Sequence, residues 1–131
     1  MRISELSAKT QVSVDRLRRY EALGLIASQR EANGYRVYDD SVVRQVIFIA
    51  MSREMGFSLT HVAEYLPRFK TGQLTSEEMI QAIRQRVAEV DQVIAAQKAL
   101  RNMLLNHIDW FQWRIQPVDA TSWLNRSAGV S

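Results

Sequence analysis

The chain has 131 residues, a formal charge of +3 and a pI near 9.6, so it is of single-domain size and mildly basic. It contains no cysteine, which excludes disulfides, thiolate metal sites and thiol redox sensing. No window approaches the roughly 20 apolar residues of a membrane span, and Met1–Glu5 lacks the apolar core of a secretory signal. The expectation is a soluble, cytoplasmic protein with no cofactor and no membrane partner.

Ile3 to Thr10 reads as a two-turn helix, with Ser4 as cap and Glu5 as a first-turn acid. Gln11-Val12 joins it to the stretch that organises the chain, Val12 to Glu21. There Ser13 is an N-cap, Val14 and Leu17 mark an inward face, and Gly24 stops the helix. Arg16, Arg18, Arg19 and Tyr20 are left to cover the rest of the cylinder. Three guanidinium groups and a phenol on a short helix suit a polyanion; a merely solvated face is the other reading. Two short helices with a tight connection form a helix-turn-helix, whose second member enters a DNA major groove, although many helix pairs bind nothing.

Leu25-Ile26 is a buried connector. Asn33-Gly34 is a hairpin turn signal, both residues tolerating positive φ, and Tyr35-Arg36-Val37 alternates as a half-exposed strand. After a helix-turn-helix such a ribbon is a wing, with Arg36 and Tyr38 near its tip and base. A guanidinium can enter a minor groove or clamp a phosphate, and a phenol can donate to one. A plain surface hairpin, with Tyr35 and Tyr38 packed on the core, is the alternative.

Asp39-Asp40-Ser41 supplies caps for a third helix with Val43, Val46, Ile47, Ala50 and Met51 as its apolar stripe. Gly56 ends it. Ser58 caps a fourth helix, Phe57 packs on Val62 as a staple, and Pro67 is expected to end it. Arg68 to Gln73 then reads as a linker. Thr75-Ser76-Glu77-Glu78 is a capping box, and the lack of glycine or proline until Pro117 predicts one helix from 76 to about 113, roughly 55 Å long.

Ile80, Ile83, Val87, Val90 and Ile94 repeat at 3-4-3-4 spacing, a coiled-coil seam. Gln97 and Arg101 occupy the next seam positions, and Leu100, Leu104, Ile108 and Phe111 carry an apolar stripe expected to have slipped round the helix. Such a seam needs a partner, most simply a second copy. All three tryptophans lie in or just beyond the end of this helix. Trp110, Phe111, Trp113 and Trp123 form either a candidate effector pocket for a flat or cationic molecule or plain core. Asn125 to Ser131 read as frayed. The two histidines, His61 and His107, read as ordinary surface or partly packed residues.

Charge follows the same division. Residues 1–70 hold eleven Lys and Arg against eight acids, whereas residues 71–131 hold six of each. The whole basic surplus therefore lies where an anionic partner would dock. No nucleophile–base pair, phosphate-cradling glycine loop or metal-ligand spacing points to an enzyme.

The order of these motifs resembles the MerR family of bacterial transcription regulators. It is carried by Arg18-Arg19-Tyr20-Glu21, Gly24-Leu25-Ile26, Asn33-Gly34-Tyr35-Arg36-Val37-Tyr38, Arg53-Glu54-Met55-Gly56-Phe57-Ser58 and the long terminal helix. The likeness is close over residues 1 to about 66 and architectural over the long helix. It implies a mainly α fold: a winged helix-turn-helix DNA-binding domain over 1–70, a dimerisation helix over 75–113 forming an antiparallel coiled-coil dimer, and a short tail over 114–131.

It further implies a pseudo-palindromic promoter operator that the dimer bends and untwists, so that RNA polymerase is reached indirectly through DNA shape. The implied DNA-binding set is Ser13, Arg16, Arg18, Arg19, Tyr20, Gly34, Tyr35, Arg36 and Tyr38. Within it Arg16 and Arg18 touch bases or phosphates, Tyr20 touches a phosphate, and Arg36 and Tyr38 act from the wing. Arg19 departs from the pair of aromatics common in relatives. The implied dimerisation set is Ile80, Ile83, Val87, Val90, Ile94 and Leu104. Metal-responsive branches use cysteines that are missing here, and drug-binding relatives append a large effector domain. The effector is thus a small organic molecule, or there is none. Two other functions remain open: an architectural, excisionase-like DNA-binding protein, and a coiled-coil adaptor that binds no DNA.

Overall fold

The computed structural model describes residues 1–114. Seven elements follow in order: α1 (Ile3–Thr10), α2 (Val14–Ala22), β1 (Gln29–Arg30), β2 (Arg36–Val37), α3 (Ser41–Glu54), α4 (Leu59–Lys70) and α5 (Ser76–Arg114). The described chain forms two compact units, Met1–Arg86 and a second from Val87 onward.

In the first unit, α1 and α2 are separated by one tight turn. Gln11 takes φ +60°, and its N–H closes α1 by bonding to Ser7 O at 2.9 Å. Ser13 caps α2 as expected, its hydroxyl accepting from Arg16 N–H at 3.2 Å. Gly24 sits at φ +77°, the left-handed conformation that lets the chain leave α2 sharply. Ser4 is no cap: α1 starts after Arg2, which makes no side-chain cap bond.

One core gathers Leu6, Val12, Leu17, Tyr20, Leu25, Ile26, Tyr38, Val42, Val46, Phe48, Ile49, Phe57, Val62 and Leu66. Fully burying a side chain of the Leu or Phe type contributes about 1.5–3 kcal/mol, which is what fixes α2 on this scaffold. The α3 stripe is corrected. Its inward face is Val42, Val46, Phe48 and Ile49, while Ile47 and Met51 are exposed. This helix is apolar on most sides, so spacing alone leaves its rotation open; packing on α1 and α4 sets it. Its start is held by Asp39, which accepts from the Ser41 N–H at 3.0 Å and from the Ser41 hydroxyl. Those bonds pull the Asp39 carboxyl below the ordinary range.

Pro67 does not end α4, which runs on to Lys70. The last turn is held by tertiary contacts: Phe69 stacks on Phe48 at 4.3 Å between centroids, and Lys70 Nζ donates to Leu25 O at 3.0 Å. These offset the hydrogen bond that proline cannot make. The expected linker thus shrinks to Thr71 to Thr75. Thr75 accepts from the Glu78 N–H at 3.1 Å, and Glu78 pairs with Arg68 across the turn. That pairing holds the Glu78 carboxyl below its usual range and the Arg68 guanidinium above its own.

The beginning of α5 belongs to the first unit. Met79 and Ala82 pack against its core, and Arg86 Nε donates to Met55 O at 3.1 Å. Gly56 has φ +90°, a left-handed backbone that favours glycine, and the Arg86 guanidinium lies over it, 2.5 Å from where a β-carbon would stand.

From Val87 onward the second unit is the rest of α5. No residue of α5 is buried. Counting 3-4 from Ile94 through Gln97 and Arg101 arrives at Leu104, Ile108 and Phe111. In an uninterrupted helix the seam is therefore broken by two polar residues, not slipped, and Leu100 alone departs from it. Among the described residues no helix is long and apolar enough to cross a membrane.

Candidate nucleic-acid interface

The helix-turn-helix is built by α1 and α2, and α2 is its outer member. Leu17 is fully buried, and Arg16, Arg18 and Arg19 are exposed around it. Tyr20 is corrected: it is 4% exposed, three residues on from Leu17, and so belongs to the inward face. The spacing Val14, Leu17, Tyr20 carried that signal. Its hydroxyl accepts from Arg16 Nη2 at 2.8 Å, so it orients Arg16 rather than covering the surface. Arg16 and Arg19 line an open groove of about 580 Å³ with Gln11, Arg53 and Glu54. Arg53, part of a family motif but absent from the expected DNA-binding set, is held there by donating to Phe57 O at 2.7 Å.

The wing is a two-stranded antiparallel ribbon, Gln29 opposite Val37 and Arg30 opposite Arg36. Its turn differs from the expected one. Gly34 alone has positive φ, at +86°, and its N–H bonds to Glu31 O at 2.9 Å. Asn33 contributes through its side chain, Oδ1 accepting from Tyr35 N–H at 3.1 Å. Tyr35 stands exposed, with the Arg2 guanidinium 4.1 Å from its ring centre. Arg2 also pairs loosely with Glu31 at 3.8 Å, tying the first helix to the wing.

Tyr38 is the second correction. At 2% exposed it is core, and its phenol donates to Glu21 Oε1 at 2.7 Å instead of facing outward. Burial, then the bond to Glu21, push its pKa up to about 12. The same carboxylate receives Arg36 on its other oxygen. Glu21, at the end of α2, therefore holds both wing residues. Reading single elements missed this, because fifteen residues separate Glu21 from Arg36 and no short-range pattern links them.

In the second unit, Trp110 and Phe111 meet edge to face at 5.0 Å, while Trp113 is 82% exposed. A shallow apolar groove of about 490 Å³ is lined by Leu104, His107, Ile108, Phe111 and Gln112. Of the three described aromatics expected to form a pocket, Phe111 lines it and Trp110 and Trp113 do not; Trp123 lies outside the described residues. Among the described residues no group of three or more His, Cys, Asp or Glu could hold a metal ion.

A helix-turn-helix with exposed arginines and an adjoining wing defines a DNA-binding head. The chain belongs to the MerR family of transcriptional regulators. The family model described as MerR HTH family regulatory protein matches residues 1–68, and that described as MerR, DNA binding, matches residues 43–107. The chain is 30% identical over 106 residues to the HTH-type transcriptional regulator CueR of Escherichia coli O6:H1, covering 80% of this chain and 78% of that one. It is similar to the transcription regulator PbrR691 from Ralstonia metallidurans CH34, solved in complex with lead(II), with 28% identity, a TM-score of 0.59 and 86% of each chain covered. It shares its fold with HiNmlR, a MerR family regulator lacking the sensor domain, solved bound to promoter DNA, with 21% identity, a TM-score of 0.56 and 86% of each chain covered. These relatives are regulators of transcription, not enzymes.

Proposed function

We propose that this DNA-binding regulator works in the cytoplasm as a homodimer on a pseudo-palindromic promoter operator, which it bends and untwists. The observation that carries the reading is the double grip of Glu21 on Arg36 and Tyr38, which fastens the wing to the recognition helix. A groove-reading helix and a phosphate-clamping wing held as one body can impose a shape on DNA, and deformation is then offset by contacts on either side of the distorted centre. RNA polymerase senses the result through promoter geometry.

The seam of α5, with Ile80, Ile83, Val87, Val90, Ile94 and Leu104 all exposed, supports pairing with a second copy. It also weighs against an excisionase-like architectural role, which needs no such rod. The lack of any cysteine supports an effector other than a thiolate-bound metal. An organic molecule near Trp110 and Phe111 fits best, with Trp113 and Trp123 as its further candidates.

Selection of bound duplexes from a random pool tests the proposal. The expected product is two inverted half-sites at one fixed spacing. Recovery of single half-sites only, or of no DNA at low salt, would overturn it, the latter in favour of a protein-binding adaptor.

A further inference from the structure

Resting on the homodimer reading above and on the antiparallel pairing that the family resemblance implies, we infer that the two-fold axis of the paired α5 helices falls between Ala95 and Ala96, and that charge fixes this register. The seam positions 80, 83, 87, 90, 94, 97, 101, 104, 108 and 111 are spaced symmetrically about that point. Pairing there places Val87 of one copy against Leu104 of the other, Val90 against Arg101, and Ile94 against Gln97. These layers lie wholly in the second compact unit, where Val87, Val90, Ile94 and Leu104 are all about half exposed. Ile83 then meets Ile108, and Ile80 meets Phe111, so every seam position has a partner. Arg101 lays its stem on Val90 with its head directed to water. The two Gln97 amides meet beside the axis, where each can hydrogen-bond the other, a polar device that specifies register at some cost in stability.

Heptad symmetry alone allows this pairing to slip by seven residues in either direction. The flanking residues decide between the three. In the proposed register Asp91 lies beside Lys98 of the other copy, twice over, and Val93 lies beside Leu100, which explains why Leu100 is apolar off the seam. A slip one way brings Lys98 against Lys98. A slip the other way brings Asp91 against Asp91 and Arg84 against Lys98. Like charges across such a flank are destabilising and opposite ones stabilising.

The absence of native cysteine makes the test direct. The full-length V87C/L104C variant, mildly oxidised, is expected to run as a covalent dimer, because facing seam positions come within disulfide reach. V87C alone is expected to stay uncrosslinked. Crosslinking of V87C alone would show a parallel pair; faster crosslinking of V87C/Q97C or V87C/F111C would show a slipped one. Each overturns the register and leaves the dimer standing. A native chain that sediments at monomer mass at micromolar concentration would instead remove the dimer reading itself. Independently, Lys98→Glu should weaken dimerisation about threefold to tenfold, and adding Asp91→Lys should restore it. No weakening, or no restoration, overturns the charge assignment.

Discussion

The two compact units use the same kinds of residue in opposite ways. In Met1–Arg86 the apolar side chains of five helices and a wing converge on one core, and Leu6, Leu17, Val46 and Ile49 lose essentially all contact with water. Among the described residues from Val87 onward the apolar side chains are as frequent, yet none is buried. The first unit contains the partners for most of its own apolar side chains; the described part of the second presents an apolar face left open to water. That difference is why a DNA-reading head and an association surface can be separated by a single helix that serves both.

Breaking the head should have the largest effect. Leu17→Ala empties the centre of the core behind the recognition helix and should lower unfolding free energy by about 2–5 kcal/mol, read by denaturant titration. Val93→Ala, on the exposed helix, should change it by no more than about 0.5 kcal/mol in a sample dilute enough to be monomeric. Ile94→Asp tests the other side of the contrast. It should leave the head folded by circular dichroism and weaken dimerisation at least tenfold, or about 1.4 kcal/mol, in analytical ultracentrifugation.

Glu21→Ala probes the bracket between helix and wing. It leaves the Tyr38 hydroxyl buried without its acceptor, which should cost about 1–3 kcal/mol, and it releases Arg36. Operator affinity should fall more than affinity for random duplex, because a loosened wing keeps its charge and loses its place. Arg18→Ala should be milder: the head stays as stable, and the slope of log affinity against log salt falls by about one.

A further effect, confined to strongly alkaline solution, is set by pH. The Tyr38 pKa is raised in the fold to about 12, above its usual value of 10. Its stabilisation is therefore complete below pH 10 and is lost as pH climbs toward 12. Comparing Tyr38→Phe with the native chain across that window in thermal melts should show this component only in the native chain.

Much of this was legible before the structure, for reasons specific to particular residues. Ser13, Ser58 and Thr75 each cap the helix expected of them, because capping depends on a few neighbouring residues. The 3-4 spacing along α5 likewise lies within one element. What was misread depends on distant partners. Tyr38 looks like a surface phenol until the end of α2 supplies Glu21, and Pro67 looks like a terminator until Phe69 finds Phe48; Tyr20 is the exception, its spacing from Leu17 being a local signal. The rotation of α3 could not be read because its apolar residues surround the helix. Glu21 was overlooked because its partners lie fifteen and seventeen residues away.

The sharpest measurement is the mass of the complex formed on an operator duplex selected from the random pool, followed by sedimentation as salt is raised. Two chains per duplex, already paired before DNA is added and spaced on inverted half-sites, is the predicted result. One chain per duplex, bound as tightly as two, would contradict the division of labour between the self-contained head and the exposed seam.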